Sequence, residues 1–546
     1  MTAVSSGRAS VLILVLVFIA VLGFTNPLGD FPLNDDWSYG QAVQDLVQRH
    51  EFRLSGWTSM PLLTQVLWGA LFSLPAGFSF TALRLSTLFL SMAALLLLMG
   101  LVWRKDERLL TALLGPLLLL FNPVYLNLSH TFMTDVPFIA FVLGSILLFV
   151  QGDERRNRVL LALGVCLAVL ATLLRQTGVL LPVAFGIGYL IRGRAGVRKA
   201  LPTAGFILLT IATYVAYTGW LSSTGRLPTG YFAQWTQIRS VLAAGPSGVG
   251  GQVARSLLST YIYLGIFTLP FGLLFLQHAP KKRLFLLFLT STVLLGAAQL
   301  LRVTLPGNIL SDRGVGPFTL AHTAAFAVFS GGVAARILLG LLALLGGTLL
   351  LEMVVRSMES ANSSLTGAVC LSLAGLCFAS LSLVSQLDRY MVLYLPLLLA
   401  SASMALRERP PTRPTLAASL AATLAYAVFS VSAVHDYMTW NRARWEAIRH
   451  VTDELGVPAD RIDGGFEFNG LHTYSDDYVR TPDRSPWWVI DDEYVIAFDV
   501  LPGYGILTDY PVKSWLPAGI RHIFVLKRSS TSRQPQSAAS TVRPLT

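Results

Sequence analysis

The sequence predicts an α-helical polytopic membrane protein of about thirteen transmembrane helices, with a small C-terminal α/β domain outside the membrane. Three observations carry this. The 546-residue chain is 53% hydrophobic and only 13% charged, and its mean hydropathy is +0.60, whereas soluble domains carry about a quarter charged residues. Its apolar residues fall into long runs separated by short basic clusters. After residue 435 those runs give way to short segments punctuated by Gly and Pro.

A span needs about 20 apolar residues, or somewhat fewer when anchors flank it. On that measure the spans run over 10–28, 81–102, 109–123, 136–151, 159–174, 177–191, 201–220, 257–277, 284–301, 333–354, 365–384, 390–406 and 415–434. The first follows Arg8 like a secretory signal, but Thr25-Asn-Pro-Leu-Gly offers no small-x-small cleavage site, so it reads as a retained helix. The segment 60–76, bounded by Pro61 and Pro75, reads as a helix lying in the interface or dipping into the membrane. Basic residues alternate between sides. One side collects Arg104, Lys105, Arg108, Arg155, Arg156, Arg158, Arg192, Arg194, Arg198, Lys199, Lys281, Lys282, Arg283, Arg407, Arg409 and Arg413, which makes it cytoplasmic by the positive-inside rule. This predicts a multi-pass protein of the cytoplasmic (inner) membrane with its N-terminus on the cytoplasmic side, and the loop after the first span faces outward.

An odd number of spans also places the tail outside. Three parts result: a membrane domain over 1–435, an extracytoplasmic α/β domain over 436–528, and a disordered tail over 529–546 rich in Ser, Thr, Gln and Pro. Within the second part, 440–455 has helical spacing, and 462–468, 494–501, 504–509 and 522–526 read as strands.

The net charge of +11 does not point to nucleic acid, because the cations lie in loops between apolar runs. Cys166, Cys370 and Cys377 sit inside apolar runs without CxxC or His partners, which supports neither a disulfide framework nor a zinc site.

The stretch Phe31-Pro-Leu-Asn-Asp-Asp-Trp-Ser-Tyr39 carries two adjacent carboxylates at the membrane surface. Charges there are costly unless solvated, paired or used. Asp35 and Asp36 are therefore the first functional candidates, and capping of the following helix by Asn34 or Asp35 is the structural alternative. His130 and Asp135 lie between the third and fourth spans, where Asp135 also suits a helix start two residues before Pro137. Arg175 occupies a tight outer turn, where snorkelling to headgroups is the competing role. Asp388 and Arg389 begin the twelfth span and could simply pair with each other. The outer loops 221–256 and 302–332 add Arg226, Tyr231, Trp235, Arg239, Arg302, Arg313 and His322 to the same face. Carboxylates, a histidine and arginines from distant loops thus converge on one side. Such a site suits a substrate with a phosphate head and an apolar tail, since Arg grips phosphate bidentately while the tail stays in lipid.

With the acidic pair, the Met133-Thr-Asp-Val-Pro137 segment, Leu174-Arg-Gln-Thr-Gly178, the run from Tyr261-Ile-Tyr263 to Pro270, and Arg389-Tyr-Met-Val-Leu-Tyr-Leu-Pro396, the chain resembles the GT-C glycosyltransferases over residues 10–405. Among these it is similar to the bacterial protein O-mannosyltransferase and lipid A aminoarabinose transferase group. The resemblance implies inverting transfer of one sugar from a polyprenyl-phosphate donor to a lipid, glycan or protein acceptor on the outer face. It makes Asp35 the general base, with Asp36 standing where relatives often carry Glu. Arg175 stands where many relatives carry Lys, and Arg389 matches the Arg of an R-Y-x-x-x-x-x-P pattern; either would hold the donor phosphate. His130, Asp135, Tyr261 and Tyr263 are further substrate-site candidates. The His-Pro-aromatic run of some relatives is missing, and Trp487-Trp-Val-Ile-Asp491 only echoes the oligosaccharyltransferase signature.

No cofactor is required by this reading. A divalent cation is the one candidate, but neighbouring helical residues point about 100° apart and oxygen-ligand sites take more groups than the acidic pair supplies. The rival readings are a flippase or transporter of a lipid-linked saccharide, which would favour charges reaching the midplane or inner side, and a glycan polymerase. Glu352 is the main inner-side carboxylate within an apolar run.

Overall fold

The computed structural model describes residues 3–103, 109–193, 197–303, 305, 307–311, 313–320, 333–408, 410–479 and 485–529. Arg104, Lys105, Arg108, Arg194, His322, Arg409 and the tail from 530 onward lie outside these residues. The chain divides into two compact units. One comprises 1–317, 324–438 and 515–519, and the other 318–323, 439–514 and 520–546.

The first unit is helical, as expected of a multi-pass membrane protein. Each of the thirteen expected spans is a helix, although not each is long. Among the described residues nine helices are long and apolar enough to cross a bilayer, and a tenth arises if Ala112–Leu120 and Pro123–Ser129, bent by 69°, count as a single broken span. The break has a local cause. Pro123 disfavours helical backbone at Asn122, whose side chain instead accepts from the amides of Val124 (3.1 Å) and Tyr125 (3.0 Å) to start a new helix. The remaining spans, Arg158–Leu174, Gln176–Ile191 and Leu365–Leu381, are shorter apolar helices. The proline-flanked segment forms the helix Leu63–Ser73.

Polar contacts sort into two ends. At one, Arg407 donates to the Val102 carbonyl (3.1 Å), Arg192 to the Ser363 carbonyl (3.3 Å) and Tyr189 to Asp153 (3.3 Å). Fully buried Glu352 is paired there with Arg283 and Arg356, each through Nε at 2.8 Å. These are the helix ends that the basic clusters assigned to a single side. Between the ends, Gly245–Gly272 and Val333–Ala361 touch backbone to backbone: a Cβ on Gly265 would lie 2.8 Å from the Gly347 nitrogen. Small residues permit this approach where lipid supplies no hydrophobic drive between helices.

The second unit holds a four-stranded sheet ordered Ile462–Asp463, Tyr494–Ala497, His522–Arg528, Tyr504–Pro511. The first pair is parallel and the others antiparallel. The strand expected over 462–468 stops at Asp463. Gly464 and Gly465 turn the chain, Gly465 at φ +87°, and Phe466–Thr473 is a helix. Arg444, completely buried, holds the turn through the Gly464 carbonyl (2.9 and 2.6 Å) and Glu467 (2.7 Å). The helix expected over 440–455 is the end of the unbroken helix Arg413–Arg449, followed by the turn His450–Glu454.

One tight turn positions a candidate residue. The helix Arg158–Leu174 ends at Arg175, and Gly178 packs so closely that a Cβ would lie 2.5 Å from the Thr172 amide nitrogen. Backbone cannot yield as a flexible side chain does. Gly178→Ala is expected to lower stability by about 1–3 kcal/mol, read as a reduced unfolding temperature of the detergent-solubilised protein.

Candidate active site

The outer candidates meet at the end of the helices opposite Glu352, and all of them belong to the first unit. The loop 26–35 is shaped by a residue that the sequence reading passed over. Arg84 lies in the helix Phe80–Val102 and is 1% exposed. Its guanidinium donates to four carbonyls: His130 (2.8 Å), Pro27 (2.7 Å), Gly29 (2.8 Å) and Phe31 (2.9 Å). A lone arginine in an apolar run was the signal that could have found it.

Beside it, Asp36 begins the helix Asp36–Gln44. Its two oxygens accept from the amides of Phe132 (2.7 Å) and Leu33 (3.2 Å). Burial pushes its carboxyl well above the usual range, while Arg84 and the two amides pull it back. A raised folded-state value means that charging Asp36 costs folding free energy as pH climbs from the ordinary carboxylate range through the raised one. The Arg84 charge and the two amides offset that cost.

Asp35 does something else. It occupies the N-cap position, but its side chain makes no capping bond, so the capping alternative does not hold for Asp35. Instead Oδ1 accepts from the indole nitrogen of Trp57 at 2.8 Å, and Oδ2 lies 3.5 Å from Nη1 of Arg389. Successive residues in the first helical turn point in different directions. Asp36 therefore faces the backbone of two loops while Asp35 faces a cation.

Arg389 sits in the turn Asp388–Tyr390. Its neighbour Asp388 pairs elsewhere, accepting from the amides of Asn308 (3.0 Å), Ile309 (2.9 Å) and Leu310 (2.6 Å). The local Asp388 to Arg389 ion pair therefore does not form, and the guanidinium is left to the site. Its Nε is buried without a hydrogen-bond partner among the described residues. Asp35, Asp135 and Tyr39 all lie near enough to act on its charge.

Asp135 starts the helix Asp135–Glu154 and is 3% exposed. Arg175 donates to its Oδ1 at 2.5 Å and covers the Phe138 ring at 5.8 Å, while Oδ2 has no partner among the described residues. Arg175 is thus drawn inward and is not snorkelling. Asp135, Arg175, Gln176, Thr177, Tyr390, Gln234 and Met60 line a cavity of about 30 Å³, roomy enough for an ordered water or two. Tyr39, a second residue missed in the sequence, is buried among Asp35, Arg389, Arg175 and Asp135. Burial, with Asp35 next, pushes its phenol well above the ordinary tyrosine range.

Other candidates fall outside this cluster. His130 is fully buried, with Nδ1–H donating to the Leu126 carbonyl (2.8 Å) and Nε2 paired with the Thr25 hydroxyl (2.8 Å), so both ring nitrogens are used in holding the loop. Tyr261 packs against Gly347 and bonds Ser291, between helices. Tyr263 is buried near Asp388, its hydroxyl without a partner among the described residues. Of the outer loops, Tyr231 bonds Tyr214 (2.7 Å), and Trp235 stacks under Arg239. Among the described residues no three His, Cys, Asp or Glu side chains converge as a metal would require.

The geometry is a ring of two carboxylates and two guanidiniums in which, among the described residues, Asp135 Oδ2 and Arg389 Nε have no hydrogen-bond partner. It can accept a proton at Asp35 and bind an anion at Arg389 and Arg175.

Residues 61–220 match the family model described as dolichyl-phosphate-mannose-protein mannosyltransferase, within the stretch over which the motifs resemble the GT-C glycosyltransferases. No curated protein matches the chain. Among solved structures the chain is similar to ArnT from Cupriavidus metallidurans. The crystal structure bound to undecaprenyl phosphate has 13% identity and a TM-score of 0.43, covering 96% of this chain and 99% of that one. The apo structure has 13% identity and a TM-score of 0.44, covering 97% and 100%. The arabinosyltransferase EmbB from Mycobacterium smegmatis is similar at 14% identity and a TM-score of 0.33, over 78% of this chain and 40% of that one.

The two adjacent acids separate by experiment. Asp36→Asn turns an amide nitrogen toward a backbone N–H and should cost about 1–3 kcal/mol. Asp35→Asn should leave the unfolding temperature close to that of the unsubstituted protein.

Proposed function

We propose that this protein is an inverting GT-C glycosyltransferase. It moves a single sugar from a polyprenyl-phosphate donor to a lipid, glycan or protein acceptor at the outer face of the cytoplasmic membrane. The observation that carries the reading is Asp35, a buried carboxylate 3.5 Å from Arg389, within a cluster that also holds Arg175. The family match over 61–220 supports the donor class, because its description names a polyprenyl-phosphate sugar.

The chemistry follows from the groups present. Arg389 and Arg175 bind the donor phosphate, with the unpartnered Nε of Arg389 available to it. Engagement with phosphate draws Arg389 from Asp35 and leaves that carboxylate facing the acceptor. Asp35 then takes the proton of the acceptor hydroxyl as its oxygen attacks the anomeric carbon from the face opposite the phosphate. The carbon–oxygen bond to phosphate breaks and its electron pair stays with the leaving group. A phosphodiester thereby becomes a monoester carrying one more negative charge, and fixed guanidiniums stabilise that build-up. Asp135 keeps Arg175 in place, and Asp36 with Arg84 holds the loop that presents Asp35.

Glu352 bears on the transporter alternative. The buried carboxylate at the far end is matched by Arg283 and Arg356, so it is not an unpaired charge of the kind a translocation route would use.

The test is turnover of polyprenyl-phosphate mannose by the purified protein in nanodiscs with a cell-envelope extract as acceptor, read by mass spectrometry as one added sugar. Asp35→Asn should lower turnover by at least about 100-fold while donor still binds. Full activity in that variant would remove Asp35 as the base. Arg389→Lys keeps the charge but loses the fork, and should raise donor KM and lower kcat together by about 10-fold or more.

A further inference from the structure

We infer that Trp57 is a positioning residue for Asp35, acting through its indole N–H to fix which carboxylate oxygen is free to take a proton. The inference rests on the proposed transferase reading for its consequence, and on geometry for its premise. Asp35 carries two oxygens with different surroundings. Oδ1 is held at 2.8 Å by Trp57 Nε1. Oδ2 faces Arg389 at 3.5 Å, beyond hydrogen-bond reach. A carboxylate held by one donor cannot spin about its Cβ–Cγ bond, so the same oxygen is presented in every turnover.

Trp57 is itself held from two sides. Next to it, Ser55 bonds Ser38 of the helix Asp36–Gln44 at 2.6 Å, and the Trp37 ring lies 6.4 Å away. Preceding it, the Gly56 carbonyl accepts from the Gly230 amide (2.8 Å) and the Thr229 hydroxyl (3.1 Å). An indole at a bilayer interface ordinarily serves as an anchor, its N–H turned to headgroups and water. Here the N–H is turned inward to a carboxylate.

The effect on the reaction is one of orientation: a fixed base meets the acceptor proton more often, which acts on kcat.

The experiment has two arms on the full-length protein. In the first, indole ¹⁵N–¹H spectra of tryptophan-labelled protein are recorded for the unsubstituted protein and for Asp35→Ala, with the Trp57 signal assigned by its loss in Trp57→Phe. That signal should lie downfield, as a hydrogen-bonded indole does, and move upfield in Asp35→Ala. A Trp57 signal unmoved by Asp35→Ala overturns the inference whether or not the protein transfers sugar. In the second, turnover of polyprenyl-phosphate mannose is followed in Trp57→Phe. The expected result is a fall in kcat of about 5–10-fold with donor KM within about two-fold. An unchanged kcat overturns the positioning role even if stability drops. Should Trp57→Phe fail to fold, 3-benzothienylalanine at position 57 replaces N–H by sulfur within the same ring outline and decides the same question. Absence of turnover in the unsubstituted protein would instead count against the transferase reading, and the spectroscopic arm would still decide the contact.

Discussion

One end of this protein's helical unit depends on how one buried guanidinium is satisfied. Arg84 sits in an apolar helix where an uncompensated charge would be prohibitive. It recovers hydration by gathering four carbonyls from two stretches of chain. Those carbonyls belong to the loop leading to the acidic pair and to the segment leading to Asp135. Satisfying Arg84 therefore brings both carboxylate-bearing loops to one place. Asp36 completes the arrangement by tying the same two loops together through their amides. With that frame set, Asp35 and Asp135 are left to face the cations.

The adjacent acids show why sequence proximity does not equal shared function. One rotates onto backbone donors and becomes structural, while the other rotates onto Trp57 and Arg389. The same division recurs at Asp388 and Arg389. The acid caps three amides of a distant loop, and its release from the neighbouring arginine gives the site its second cation.

Much of the fold was legible because membrane spans are written in composition. The thirteen runs became thirteen helices, and the basic clusters marked one end. Lengths were less legible. Pro123 cut a helix where hydropathy alone continued, and the two glycines after Asp463 ended a strand whose apolar pattern ran on to Phe468. The site was partly legible: Asp35, Asp135, Arg175 and Arg389 were named from position on one face, and they meet. His130 was not distinguishable from them, since whether a histidine is consumed by its own loop depends on the Leu126 carbonyl and Thr25, neither of which carries a signal. Trp57 and Tyr39 were invisible for a related reason. An aromatic near the bilayer surface has an ordinary explanation, and only coordinates reveal which way its polar atom points.

The matched ring of two acids and two guanidiniums has a consequence for how an anion arrives. A site with surplus cations would project a field and collect phosphates from a distance, at rates set by the surrounding electrolyte. Here each guanidinium already faces a carboxylate, so the far field largely cancels and attraction begins only at contact. Encounter with an anion is then governed by close approach within the ring, and charges free in the surrounding fluid have little to draw them in.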